Sequence, residues 1–174
     1  MTEDSELFLD EYYTNFKEAF EKGVFSMDCT KYIEEIKTST KVRAFRNIRS
    51  AELIEDTTKL IEATLDNQSR RTRIVEIKLQ AQSIYNRIIH RTDYITNYLR
   101  VKYNKVLKSY ASTQAERDMY MKELFAFTGD TIINMQNLIL YCDTTLMDID
   151  KTAWSLTTTK DCLEIISNDR RNNV

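Results

Sequence analysis

Apolar residues recur at steps of three and four along most of this chain, the spacing of an amphipathic helix. The series Ile77, Ala81, Ile84, Ile88, Thr92, Ile95, Leu99, Tyr103, Val106 and Tyr110 forms one seam about 100° wide on a helical wheel. Nothing clearly stops a helix between Lys41 and Tyr110, so residues 41–110 are predicted as one long helix, with residues 47–50 and 66–69 as places where it could break. Thr113-Gln-Ala-Glu116 reads as a capping box. A second long helix over 113–166 then carries Met119, Leu124, Ile132, Met135, Leu138, Leu146, Ile149 and Leu156. Two long helices joined by a short turn predict an antiparallel helical hairpin.

Shorter elements precede it. Asp4 and Ser5 are placed to cap a first helix with Phe8, Leu9, Tyr12, Tyr13, Phe16 and Phe20 at helical spacing, and Gly23 stands where a left-handed C-cap belongs. A second helix is expected from about Ser26, carrying Tyr32, Ile33 and Ile36 and kinked or ended by Thr38-Ser39-Thr40. Residues 167–174 read as a frayed tail.

Composition strengthens the helical reading. The chain has 174 residues, no proline and two glycines, Gly23 and Gly129. Both residue types are costly inside helices, so the expectation is all-α, with Gly129 kinking the second long helix. Linkers and repeats are absent, and residues 1–174 are expected to form a single domain. Two extended helices with apolar seams and little third layer cannot cover themselves, which implies a homo-oligomer. Ile84, Ile88, Ile95, Leu99 and Val106, with Leu146, Ile149 and Trp154, are the expected core or oligomer seam. Trp154, Tyr141, Phe125 and Phe127 read as core aromatics, with Trp154 also open to a role at an interface. Cys29, Cys142 and Cys162 have no CxxC spacing and are expected as free thiols in a reducing cytoplasm. The longest apolar run, Ile132 to Tyr141, is broken by Asn134, Gln136 and Asn137, so no membrane partner is expected.

The formal net charge of −2 hides a strong division. Residues 1–35 hold ten acids against three bases, whereas residues 70–115 hold ten bases against the two acids Glu76 and Asp93. Arg73, Arg87, Arg91, Tyr98, Lys102 and Lys105 gather on one flank of the apolar seam, with Tyr94 slightly further out. Cations neutralise phosphate and aromatic faces stack unpaired bases, so this stripe suits single-stranded nucleic acid. The alternative is a solvated face whose cations pair with acids of the first helix or of a neighbouring subunit. The shortage of local acids favours strand binding.

Catalytic machinery is not visible. His90 is the only histidine, which leaves a zinc site or a His-based triad without its other members. Asp143, Asp148, Asp150 and Glu164 lack an ExxH partner and read as surface, and two isolated glycines build no phosphate loop. Neither enzymatic activity, cofactor nor metal is expected.

The stretch Leu138-Ile-Leu-Tyr-Cys142-Asp-Thr-Thr-Leu146-Met-Asp-Ile149-Asp-Lys-Thr-Ala-Trp154-Ser-Leu156 resembles the C-terminal helix of the UvsY recombination mediators of tailed phages. Gln80-Ala-Gln-Ser-Ile-Tyr-Asn-Arg87-Ile-Ile-His90-Arg91-Thr-Asp-Tyr94 is similar to that family's basic helix segment, and together the likeness covers roughly residues 50–166. The resemblance implies an oligomeric helical assembly that binds single-stranded DNA and helps load a RecA-like recombinase onto strands coated with single-strand-binding protein. Arg87 and Arg91 would then contact the strand. It also implies the host cytoplasm as location for a phage-encoded chain. The alternative expectation is a non-enzymatic coiled-coil interaction protein (a phage structural component, an adaptor or a host-enzyme inhibitor) that docks through the acidic first helix, with Glu3, Asp4, Glu6, Asp10, Glu11, Glu18 and Glu21.

Overall fold

Every regular element in the computed structural model is helical, as a chain with two glycines and no proline should be. The structure describes residues 7–41 and 57–172, and among these there is no strand. In chain order the helices are α1 (Glu11–Glu21), α2 (Cys29–Lys41), α3 (Thr57–Lys102), α4 (Asn104–Tyr110), α5 (Gln114–Leu124) and α6 (Gly129–Asn172), with a 3-10 turn over Ala126–Thr128. None is long and apolar enough to cross a membrane.

Several boundaries differ from the sequence reading, each for a local reason. Asp10 caps α1, accepting the Tyr12 amide at 3.0 Å, so Phe8 and Leu9 precede the helix. The expected caps Asp4 and Ser5 lie outside the described residues, as do residues 47–50. Gly23 does adopt φ +76°, the left-handed conformation that glycine tolerates best. The Thr38-Ser39-Thr40 patch does not break α2, because the Ser39 and Thr40 hydroxyls each donate to the Ile36 carbonyl at 2.8 Å and fit inside the helix. Residues 66–69 lie within an unbroken α3. That helix ends at Lys102, earlier than predicted, yet the backbone ladder continues through Tyr103 into α4.

The capping box at Thr113 and Glu116 forms in both directions. The second long helix, however, is two helices. Phe125 and Phe127 are two residues apart, which on one α-helix would point them about 200° from each other. The 3-10 turn brings both rings into one aromatic cluster, 6.2 Å apart between centroids. Gly129 is not a kink but the regular first residue of α6, with φ −58°. Past Ile166, the predicted tail continues as helix to Asn172.

Contacts divide the chain into two compact units. The first contains the residues up to Asp28 and Gln80–Asn137. Its core joins Tyr13 and Phe16 of α1 with Ile88, Ile95 and Leu99 of α3, Leu107 of α4, and Met121 and Leu124 of α5. The Tyr13 hydroxyl donates to the Leu124 carbonyl at 3.1 Å, so the buried phenol keeps a partner. Ile84 and Val106 pack at the margin of this core.

The second unit contains Cys29–Leu79 and the chain from Leu138 onward. Ile36, Ile74, Ile77, Leu138, Cys142, Ile149 and Leu156 are buried, while Leu146 is half-buried. Within this unit the two long helices run antiparallel, with Asn67 donating to the Ile149 carbonyl at 3.1 Å and Lys78 pairing with Asp143 at 2.6 Å. Trp154 is 75% exposed and so is not the core aromatic expected, which leaves its other expected place, at an interface. All three cysteines are free thiols.

Candidate nucleic-acid interface

The basic face of the first unit is built on the stretch of α3 that buries Ile88, Ile95 and Leu99 on its other side. Arg87, Arg91, Tyr94, Tyr98 and Lys102 follow steps of four, three, four and four, and Lys105 continues the row on α4. An apolar row that must point inward therefore holds this row outward. Arg87, Arg91, Tyr94, Lys102 and Lys105 are exposed, whereas Tyr98 is half-buried.

Arg73 does not join them. It lies in the second unit, where its guanidinium forks onto Glu35 with contacts of 2.6 and 3.2 Å, reaches Glu76 at 3.4 Å, and sits 5.9 Å over the Tyr32 ring. The Glu35 carboxylate holds the guanidinium proton more tightly than usual, and the bond from Arg73 in turn keeps the Glu35 carboxyl below its ordinary range. This cation is already engaged.

Lys102 is engaged too, by an acid at the head of the first helix, which is the pairing that the alternative reading of the stripe expected. The Asp10 carboxylate that caps α1 also accepts from Lys102 Nζ at 2.8 Å and from the Tyr103 hydroxyl at 3.1 Å. Burial pushes the Asp10 carboxyl up, but the bonds from Lys102, Tyr103 and the Tyr12 and Tyr13 amides outweigh it and leave it below the usual range. The same bond raises the Lys102 ammonium above its ordinary value. Lys102 Nζ further lies 5.3 Å from the Tyr98 ring and 5.1 Å from the Tyr103 ring. The Tyr12 ring meets Tyr98 edge-on at 4.8 Å and Tyr94 at 6.4 Å.

Acids from other elements thus supply what α3 lacks. Arg71 pairs with Asp150, Lys78 with Asp143 and Arg100 with Asp118, beside the Arg73 and Lys102 pairs. Counting only Glu76 and Asp93 could not reveal this, because Asp10, Glu35, Asp118, Asp143 and Asp150 are distant in sequence. Among the described residues Arg87, Arg91, Lys105 and Lys108 make no ion pair, and Arg87 rests 5.4 Å over the Phe25 ring. The remaining surface is the exposed Arg87, Arg91 and Tyr94 of α3, bordered by Tyr98 under Tyr12, with the exposed Lys105 and Lys108 on α4.

Such a face can offer point charges and guanidinium forks to phosphate oxygens and a ring to an unstacked base. Among the described residues no group of three or more His, Cys, Asp or Glu could hold a metal ion. The aromatic residues missed by the sequence reading, Tyr12 and Tyr103, carried one usable signal: Asp10 directly precedes a helix whose first turn is tyrosine-rich. No protein-family model, curated protein or solved structure matches this chain.

Proposed function

We propose that this protein binds single-stranded nucleic acid through Arg87, Arg91, Tyr94, Lys105 and Lys108, as a non-enzymatic accessory factor in recombination or replication. The observation that carries the reading is that Arg87, Arg91, Lys105 and Lys108 are exposed and make no ion pair among the described residues, with the exposed Tyr94 on the same helix as the two arginines. Phosphate would lie along Arg87, Arg91 and Lys105 while Tyr94 stacks a base, each stacked base contributing about 1–3 kcal/mol. The UvsY resemblance extends this to loading a RecA-like recombinase on strands coated with single-strand-binding protein.

Asp10 and Tyr12 give the site a built-in competitor. Asp10 presents a carboxylate to Lys102 where a phosphate would sit, and Tyr12 lies against Tyr98 where a base would stack. A strand that gains Lys102 and Tyr98 must displace both.

Fluorescence anisotropy of a labelled single strand, with a duplex control, tests the proposal. Three or four phosphate contacts predict a log–log salt slope of about −2 to −3 for a single strand. Absence of binding at low salt, or equal preference for duplex, would count against it.

The second reading, docking on a basic partner through the acidic first helix, is favoured by the exposed Glu11, Glu18 and Glu21. Asp10 does not serve it, being buried and paired. Deleting residues 1–25 would remove the core residues Tyr13, Phe16 and Phe25, so Glu11→Lys with Glu21→Lys is the cleaner discriminator. Strand binding should hold or strengthen in that variant, whereas an acidic docking helix would lose its partner.

A further inference from the structure

Helix α6 carries two apolar rows where one would suffice. In the second unit, Cys142, Ile149 and Leu156 recur every seven residues and are buried. Leu140, Met147 and Trp154 recur at the same interval and are 66, 64 and 75% exposed. The rows are offset by two residues, which sets them about 160° apart around the helix. The exposed row therefore faces away from the core, with a large aromatic at one end.

The threonines beside it, like the others of this part of α6, have their hydroxyls satisfied within the helix. Thr144 donates its hydroxyl to the Leu140 carbonyl at 2.9 Å and Thr158 to the Trp154 carbonyl at 3.1 Å. Covering either residue leaves no hydroxyl proton unmet, and this removes the usual cost of burying threonine. A seven-residue repeat on an exposed helical face stays in register with a second helix in a left-handed supercoil, here with one apolar position per heptad.

We propose that α6 pairs antiparallel with α6 of a second copy of this chain, about a twofold axis beside Met147. That axis sets Leu140 of one copy opposite Trp154 of the other and Met147 opposite Met147. It also sets Lys151 opposite Asp143, twice. Lys151 is exposed and makes no ion pair among the described residues, and the Asp143 side chain is 45% exposed although Lys78 holds one carboxylate oxygen. Opposite charges meet on either side of the axis in this arrangement, and the pair occurs twice because a twofold interface repeats every contact. A parallel pairing would instead set Lys151 beside Lys151.

Three apolar layers bury less than the roughly 1,200 Å² of a standard interface, so the pairing is reversible and depends on concentration. Sedimentation of the full chain over a concentration series should show a mass rising from 20.6 kDa toward twice that value. Met147→Lys and, separately, Trp154→Gln should return it to the mass of one chain with unchanged helicity. In a Cys162→Ser background, Met147→Cys should form a disulfide joining position 147 of both copies, mapped by mass spectrometry. A single-chain mass at every concentration, or association that survives both substitutions, overturns the proposal. Dissociation by both substitutions without a link between the two positions 147 overturns the antiparallel arrangement. None of these readouts involves nucleic acid, so the outcome is separate from that of strand binding.

Discussion

Asp10 and Lys102, ninety-two positions apart, meet at 2.8 Å, and the carboxylate of that pair is the N-cap of α1. One side chain thus starts a helix, neutralises a cation of the basic face and orients the Tyr103 phenol. Replacing it by alanine should cost about 1–2 kcal/mol from the lost cap and the lost partner. The same variant frees Lys102 for phosphate. Thermal melting should therefore show a lowered midpoint while strand affinity rises and the salt slope steepens by about 0.7.

The pH dependence follows from the same carboxyl. Its folded-state value is lowered, so the unfolded chain binds the proton more readily. The stabilisation is fully present above the ordinary carboxylate range near pH 4 and is lost as pH falls through the lowered folded value. Resistance of the wild-type chain to urea should fall as the pH drops below the ordinary carboxylate range near 4, and Asp10→Asn should reduce that dependence. An unchanged profile in Asp10→Asn would remove Asp10 from the account.

Charge reversal separates the two halves of the predicted stripe. Arg87→Glu with Arg91→Glu should abolish strand binding at moderate salt with helicity intact. Arg73→Glu should leave binding unchanged and lower stability by at most about 1 kcal/mol, as expected of an exposed ion pair. Equal loss of binding in both variants would return Arg73 to the interface.

Core truncation should discriminate packed from exposed seam positions. Ile88, fully buried, should cost about 2–5 kcal/mol as alanine, whereas exposed Trp154 should cost well under 1 kcal/mol in the dissociated chain. Chemical denaturation at low protein concentration reads both.

The thiols provide a chemical check on burial. Burial raises Cys142 to about 11, with Asp143 adding to the effect, so its reactive thiolate is scarce at neutral pH. Cys162 is exposed. Alkylation followed by peptide mapping should label Cys162 first and leave Cys142 protected until unfolding.

The sequence was most legible where periodicity alone decides. The inward row of Ile88, Ile95 and Leu99 and the Thr113 cap both follow from spacing and local chemistry. It was least legible where two signals compete over short distances. Phe125 and Phe127 look like two helical core residues until their angular separation is considered. Thr38-Ser39-Thr40 resembles a break, yet Ser39 and Thr40 can satisfy their hydroxyls on Ile36. For the basic stripe the limit was of another kind. Ion pairing is decided by distance in space, and neither Asp10 beside Lys102 nor Glu35 beside Arg73 leaves a mark at helical spacing.

The 3-10 turn at Ala126–Thr128 has a consequence for how this chain can change through descent. It sets the angular phase with which α6 departs, because each residue counts for about 100° once the helix begins. One residue gained or lost there would turn the buried Met135 out of the core and bring a polar neighbour inward. Substitutions at the turn alter local fit, whereas length changes rewrite the pattern downstream. Homologous chains should therefore vary at this turn in letters and stay constant in count.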